Sequence, residues 1–263
     1  MSDYVHGYAT TEQERLIAQA EFWRPLILDG TGFPPGSHVL EVGCGVGAVL
    51  AILGDAFPEA RLEGVDISPE QLAFAHRHLA ERGVAATLTL GDATRLPYPD
   101  GAFDHVWFQW LLEHLDDPVA ALREAHRVLR PGGEVTLIEA DYRGFVFSPA
   151  TPELAAILHA MERGMAAHGH SHAGAEVGGW LAETGFEDVD PGPLDYRFEG
   201  AEQVAPSANY VADVSAELVS TLAALPGTAS AAELTKGVED LRALSDAPSP
   251  LFGWKIHKAR ARR

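Results

Sequence analysis

The chain predicts an α/β fold in which a mostly parallel sheet is covered by helices on both faces. Three observations carry this. Short apolar runs alternate with helical segments from about residue 38 to residue 140, and buried strands joined by helical crossovers form a parallel sheet. Two helix starts use one device, Ser68-Pro69 and Asp117-Pro118, a capping side chain followed by proline at the first helical position. A glycine-rich turn, Gly43-Cys44-Gly45-Val46-Gly47, follows the first strand.

Taken in order, residues 38–42 read as a short buried strand, 47–57 as a helix and 61–66 as the second strand. The helix that Ser68 opens has Gln71 placed to close a capping box, and it ends at Gly83. Residues 87–90, 103–109 and 134–140 are the third, fourth and fifth strands; the helix from Asp117 stops at Arg130-Pro131-Gly132-Gly133. Thr151-Pro152-Glu153 then opens a helix to about residue 167, residues 178–184 form a short one, and 186–199 form a strand. Tyr210, Val214, Leu218, Leu222 and Leu225 lie at helical spacing. Ser230 with Glu233 is a capping box ahead of Leu234, Val238, Leu241 and Leu244. Because these two helices fall between the last two strands, they read as an inserted lid; residues 252–259 are the last strand. The expected division is an N-terminal helical cap over 1–35, an α/β core over 36–199, the lid over 200–247, and a final core strand with a basic tail over 248–263.

Composition narrows the function. The 263 residues suffice for one α/β domain with a cap. A formal net charge of -19 repels phosphate backbones, and the only basic cluster, residues 255–263, is short and terminal. No nucleic-acid partner is expected. A single cysteine, Cys44, allows no internal disulfide and fits a reducing cytoplasm. Residues 1–20 lack the apolar centre of a signal peptide, and no run of 18 apolar residues spans a membrane. The expectation is a cytoplasmic protein without a membrane partner, as monomer or homodimer.

The turn after the first strand carries the chemistry. In Glu41-Val42-Gly43-Cys44-Gly45-Val46-Gly47 the alternate glycines let the backbone turn tightly and let a ligand approach without meeting a Cβ. The turn feeds a helix N-terminus, whose N–H groups point outward. Gly43, Gly45 and Ala48 also satisfy the looser dinucleotide pattern. Both readings want an acid at the end of the second strand to accept from ribose hydroxyls, and Asp66 supplies it. Two further acids separate them. Glu41, two residues before the first glycine, opposes a pyrophosphate and suits a cationic sulfonium ligand with an amino group. Asp92, in Gly91-Asp92-Ala93 after the third strand, can accept from an adenine amino group.

With E-V-G-C-G-V-G, V-D-I-S, G-D-A, L-P-Y-P-D-G-A-F-D and L-R-P-G-G in this order, the sequence resembles the class I S-adenosylmethionine (SAM)-dependent methyltransferases. The branch it resembles is typified by enzymes of ubiquinone and menaquinone biosynthesis, and the resemblance covers residues 36–140. It implies a Rossmann-like, doubly wound sheet of seven strands in the order 3-2-1-4-5-7-6, strand 7 antiparallel. It implies SAM as cofactor and S-adenosylhomocysteine as product. Glu41, Gly43, Cys44, Gly45 and Gly47 would wrap the methionine part and Asp66 would hold the ribose. Ile67 would pack on the adenine, Gly91, Asp92 and Ala93 would border its edge, and Gln109 and Trp110 would lie by the sulfonium. The segment from Tyr4 to Gln19 is similar to a helix that folds over the pocket in small-molecule members, which would place Arg15 at the SAM carboxylate and Tyr8 at the methyl group. Family members often carry a His-His pair near His114; here Glu113-His114 departs at the first position.

Methyl transfer is an in-line displacement on an already activated carbon, so the protein mainly aligns the nucleophile and excludes water. A base is needed only if the acceptor loses a proton. The candidates are His114 first, then Glu113, His6 and Asp141. Tyr142, Phe145 and Tyr210 are the candidate acceptor contacts, with Phe147 beside them. Cys44 reads as a small turn residue, Trp107, Trp180 and Trp254 as core. His168, His170 and His172 read as an exposed loop, and no metal is expected. The function expected is transfer of a methyl group to an O, N or C nucleophile of a small metabolite. The alternatives are a SAM-binding protein with other chemistry and an NAD(P)-dependent oxidoreductase.

Overall fold

The computed structural model describes residues 10–263. Two helices come first, α1 (Thr10–Phe22) and α2 (Arg24–Leu28). The core then runs β1 (His38–Val42), α3 (Ala48–Ala56), β2 (Arg61–Asp66), α4 (Pro69–Arg82), β3 (Ala86–Leu90), β4 (Phe103–Gln109), α5 (Pro118–Val128) and β5 (Leu129–Ser148). Helices α6 (Pro152–His168) and α7 (Ala173–Glu183) precede strands β6 (Glu187–Asp190) and β7 (Pro193–Glu199). Helices α8 (Ala201–Ala223) and α9 (Ala231–Ala243) follow, and β8 (Leu251–Arg262) is the last strand.

All strands join one sheet in the order β3-β2-β1-β4-β5-β8-β6, with β7 also on β8. The strand expected over 186–199 is two strands, because Pro191 and Gly192 break it: the Asp190 carboxylate accepts from Gly192 N at 3.0 Å and Gly192 has φ +48°. Counting those two as one, the order is 3-2-1-4-5-7-6, and the last strand runs antiparallel to its neighbours.

The two-residue period of a strand decides which side chains reach the site. On β1, Val39 joins the core on the side of α1, α2 and α3, while Leu40 and Val42 join the core beneath α5 and α7. Alternation therefore turns Glu41 toward the α1–α3 side. On β4, Trp107 and Phe108 divide in the same way, and Gln109 shares the face of Trp107.

Caps form where the sequence places them. The hydroxyls of Ser68 and Thr151 accept from Gln71 N and Leu154 N, and the Asp117 carboxylate accepts from Ala120 N. The capping box at Ser230 and Glu233 is complete. At Ser68 only half of the expected box forms. Ser68 N donates to Asp66 instead, and the Gln71 amide oxygen accepts from Gln13 at 3.2 Å, tying α4 to α1.

Three elements exceed their expected limits. Helix α7 begins at Ala173, and β5 and β8 form an antiparallel ribbon that runs past the core, with a bulge between Asp141 and Val146. This ribbon carries Phe145, Phe147, Phe252 and Trp254, and β7 extends it with Tyr196 and Phe198. Helix α8 lies over it, but its most buried line is Val204, Ala208, Val211, Ser215 and Leu222; of the expected stripe Leu222 alone is on it, while Tyr210, Val214, Leu218 and Leu225 flank it half-buried. Small residues win that face because α6 and α9 approach closely. A Cβ on Gly164 would stand 2.5 Å from Leu222, and Ser215 donates to the Met161 sulfur at 3.0 Å.

The expected basic tail is part of the sheet. Residues 255–262 lie in β8, and their charges are used internally. Lys258 Nζ donates to the carbonyls of Leu26, Ile27 and Asp29 at 2.7, 2.9 and 2.6 Å, and Arg263 reaches the carbonyls of Arg127 and Leu129. Among the described residues no helix is long and apolar enough to cross a membrane.

Candidate active site

The turn between β1 and α3 is fixed before any ligand arrives. Gly43 N and Cys44 N donate to Val65 O at 2.8 and 3.1 Å, and Gly47 N donates to Cys44 O at 2.8 Å. Gly43, Gly45 and Gly47 have φ of +71°, +48° and +72°, the left-handed region where a side chain is strained. Their surroundings differ. A Cβ on Gly43 would stand 2.7 Å from Leu111, whereas nothing lies within 4 Å of the place a Cβ on Gly45 would take.

Gly45 opens on a small cavity that is open to solvent. Its walls are Glu41 near the end of β1, Val46 from the turn, Gln109 at the end of β4 with Trp110 just after it, and Leu16, Gln19 and Ala20 of α1. Glu41 is 3% exposed, and its Oε2 has no hydrogen-bond partner. Burial, and next the charge of Asp66, push its carboxyl well above the usual carboxylate range. An unpartnered buried acid facing a cavity fits a ligand that brings an ammonium group.

Asp66 stands at the end of β2. Its Oδ2 accepts from Gly45 N at 2.8 Å and its Oδ1 from Ser68 N at 2.9 Å. Burial raises its carboxyl while these N–H groups hold it back. Each oxygen keeps a lone pair for a hydroxyl donor. Ile67 and Leu90, at the same end of the sheet, are 51% and 59% exposed, bare apolar surface of the kind a flat ring covers. The Asp92 carboxylate accepts from Thr94 N and Oγ1, both at 2.8 Å, and stays exposed. Gly91 leaves no room for a Cβ, with Val65 at 2.8 Å, and Ala93 is half-buried beside it. Cys44 is buried and its thiol is raised by burial, so it is a poor nucleophile.

On the opposite wall Trp110 has φ 50°, a strained value for a residue with a side chain. Its amide donates to Ile138 O at 2.9 Å, and the next two amides, Leu111 N and Leu112 N, donate to Glu139 Oε1 at 3.1 and 2.8 Å. Strand β5 thus holds the loop that presents the Trp110 indole. That ring stacks on Trp254, 6.2 Å between centroids, and meets Trp23 edge-on. Trp254 in turn stacks on Phe145 at 4.8 Å and on Tyr210 at 6.0 Å.

The expected acceptor contacts Tyr142, Phe145 and Tyr210 gather here: Tyr142 meets Phe145 at 5.8 Å, and Tyr210 lies between Phe22 and Trp254. Burial raises both tyrosine hydroxyls, and nearby Glu113 adds to it. His114 Nε2 is 3.5 Å from Glu113 Oε1. Glu113 is 5% exposed and Glu139 fully buried; the Oε2 atom of each has no partner. Burial pushes both carboxyls up, Glu139 to about 8, and the charge of Glu139 raises Glu113 further.

Some expected site residues lie elsewhere. Arg15 is not on the cavity wall, because its guanidinium is bidentate on Glu12 at 2.6 Å and donates to Gln19 at 3.1 Å. Tyr8 and His6 lie outside the described residues. The histidine loop is not simply exposed: His170 N donates to Glu113 O at 2.8 Å, and His172 sits 3.3 Å from both Asp141 and Glu162. Among the described residues no group of His, Cys, Asp or Glu is placed to hold a metal ion. Sequence reasoning read Trp254 as core and did not single out Trp23; both stand in the aromatic wall. It named Glu113 as a base candidate without Glu139 beside it. The available signal was an acid, Glu139, inside the apolar strand run from Val135 to Ala140.

Several proteins similar to this chain are named as methyltransferases. The family described as "Methyltransferase domain" matches residues 40–137. A ubiquinone biosynthesis O-methyltransferase of Pseudomonas aeruginosa is 33% identical over 62% of this chain and 69% of its own length. A demethylmenaquinone methyltransferase of Symbiobacterium thermophilum is 35% identical over 51% of this chain and 55% of its own. This chain spans about half the length of the first curated relatives it matches. Among solved structures, the cyclase SpnF superposes with a TM-score of 0.56 at 22% identity, covering 92% of this chain and 81% of its own. The chain belongs to the class I SAM-dependent methyltransferases, on the branch of the ubiquinone and menaquinone biosynthesis enzymes.

Proposed function

We propose that this chain binds SAM and transfers its methyl group to an O, N or C nucleophile of a small molecule by in-line displacement. The observation that carries the reading is Glu41: a buried acid with an unpartnered oxygen on a cavity wall beside a glycine turn. A dinucleotide pyrophosphate gains nothing from that acid; the ammonium of an amino-acid moiety neutralises it.

SAM supplies a methyl group on a positive sulfur, which needs no further activation. The residues of this chain do the rest. Glu41 takes the ammonium, the turn at Gly45 lets the amino-acid part lie against the backbone, and Asp66 accepts from the ribose hydroxyls. Ile67 gives the adenine an apolar floor, with Asp92 and Ala93 at its edge. Gln109 and the face of Trp110 border the sulfonium, where a ring face attracts positive charge. Helix α1 covers the cavity through Leu16 and Gln19, and with α8 it excludes water from the reacting atoms. Tyr142, Phe145 and Tyr210 line the acceptor side. The net charge of -19 favours a small acceptor over a nucleic acid.

A second reading keeps the cofactor and changes the chemistry, since a cyclase shares the fold and a fold does not fix a reaction. Calorimetric titration of the purified chain with SAM, S-adenosylhomocysteine and NAD(H) tests the common part. Micromolar binding of the two adenosyl ligands alone is expected; tight NAD(H) binding, or none of the three, overturns it. Methyl transfer to an acceptor then separates the two chemistries.

A further inference from the structure

Resting on the methyl-transfer reading above, we propose that the acceptor carries an amine, bound as its ammonium by the Glu113–Glu139 carboxyl pair inside the aromatic wall, and that the pair takes the proton this nitrogen loses.

The pair is built and not satisfied. Glu139 Oε1 is fixed by Leu111 N and Leu112 N, yet Glu139 Oε2 and Glu113 Oε2 have no partner while the two residues are 0% and 5% exposed. Buried carboxylates without partners are costly, and two adjacent ones do not both ionise unless a cation joins them. The neighbouring guanidiniums are engaged: Arg15 on Glu12, and Arg143 on Asp141 at 2.9 Å. The groups beside the pair are His114 from its own loop, 3.5 Å from Glu113, Tyr142 from β5 and Tyr210 from α8; Arg15 of α1 acts on both tyrosines and Glu12 on Tyr210.

Two aromatic side chains, Tyr142 and Tyr210, lie beside this acid pair, and both feel the charge of Glu113. Behind them, Tyr210, Trp110 and Phe145 each stack on Trp254, and Tyr142 closes against Phe145. Aromatic faces around a desolvated carboxylate recognise an ammonium, and they repel an anion. The loop that carries Glu113 also presents Trp110 to the cavity; an amine held by the pair would approach the methyl carbon past that ring.

Proton and methyl group then balance. The ammonium N–H proton passes to the ionised carboxylate of the pair and frees the nitrogen lone pair. That lone pair forms the N–C bond as the C–S bond breaks, its electrons staying on sulfur as a neutral thioether. The methylated amine leaves as a cation, and the carboxyl returns its proton to solvent.

The test uses the full chain saturated with S-adenosylhomocysteine. Benzylamine, phenethylamine and tryptamine are titrated against it by calorimetry, beside their neutral counterparts benzyl alcohol, phenylethanol and tryptophol. At least one amine should bind about tenfold tighter than its alcohol or better. Its binding should release protons, read from the heat in buffers of different ionisation enthalpy. Glu113→Gln and Glu139→Gln should erase both the preference and the proton release while keeping S-adenosylhomocysteine affinity. Equal binding of amines and alcohols overturns the proposal, as does failure of every amine to bind a chain that holds S-adenosylhomocysteine. Variants that lose both ligands together assign the pair to the fold and also overturn it. A wild-type chain that does not bind S-adenosylhomocysteine sinks the underlying reading instead, and this one with it.

Discussion

Lys258 Nζ lies 2.7 Å from the carbonyl oxygen of Leu26, so a lysine of the last strand caps the end of the second helix. The same ammonium reaches Ile27 O, Asp29 O and Thr31 Oγ1, and it sits 5.5 Å from the Trp107 ring centroid. Those carbonyls are the ones a helix end leaves without partners. The contact fastens the covering helices to the sheet.

Lys258→Met keeps the apolar stem and deletes the donors. Loss of a buried charged donor with several acceptors costs about 2–4 kcal/mol. In a chain of this size that lowers the melting temperature by roughly 5–15 °C. Thermal unfolding followed by circular dichroism measures it; a fall of under about 1 °C would show that water replaces the ammonium without loss.

The turn glycines separate fold from binding. At Gly43 an added Cβ meets Leu111 at 2.7 Å in a left-handed conformation, so Gly43→Ala should cost about 2–4 kcal/mol of stability. At Gly45 only the conformation is strained, about 1–2 kcal/mol, because its Cβ enters open cavity. Gly45→Ala should therefore fold, and lose S-adenosylhomocysteine affinity by about tenfold or more. Wild-type affinity in Gly45→Ala would place the ligand away from this turn.

Asp66 has a structural and a binding share of work, since its two oxygens already hold Gly45 N and Ser68 N. Asp66→Asn keeps one acceptor oxygen and removes the charge; Asp66→Ala removes both. Adenosyl affinity should fall by about tenfold in the first and by about a hundredfold or more in the second, at one to three kcal/mol for each bond to a charged group. Equal loss in the two variants would mean that the turn has collapsed, and calorimetry with a melting curve on each separates the cases.

The core was legible because its signals are local. Ser68, Asp117, Thr151 and Ser230 each cap the helix they start, and the period of two in β1 and β4 turns Glu41 and Gln109 toward one cavity. What escaped depends on contacts distant in the chain. Arg15 follows Glu12 on its own helix, a choice that its spacing allows but does not announce. The burial of Ser215 and Ala208 in place of Tyr210 and Leu218 reflects how closely α6 approaches, which no single-helix pattern encodes. Lys258 reads as a tail charge until α2 is placed against it. Trp254 reads as core, and becomes a site wall only when Trp110 takes a positive φ.

The carboxyl pair also makes stability depend on pH in an unusual direction. Burial holds Glu139 at about 8, above its ordinary 4.5, so the folded state binds a proton that the unfolded chain has released. The stabilisation is fully present below about 4.5 and is lost as pH rises through about 8. Glu41 and Glu113 are shifted in the same direction by burial. Histidines lowered by burial, such as His105 and His257, act in the opposite sense, so the contrast must be drawn between variants. Glu139→Gln keeps an acceptor oxygen for Leu111 N and Leu112 N and removes the ionisation. Relative to that variant, the ligand-free wild type should lose up to a few kcal/mol between pH 5 and pH 8, visible in urea unfolding at each pH. Parallel curves for the two proteins would show that Glu139 ionises as readily folded as unfolded. A bound cation beside the pair would flatten the wild-type curve, because the ionised form would then be the one the fold stabilises.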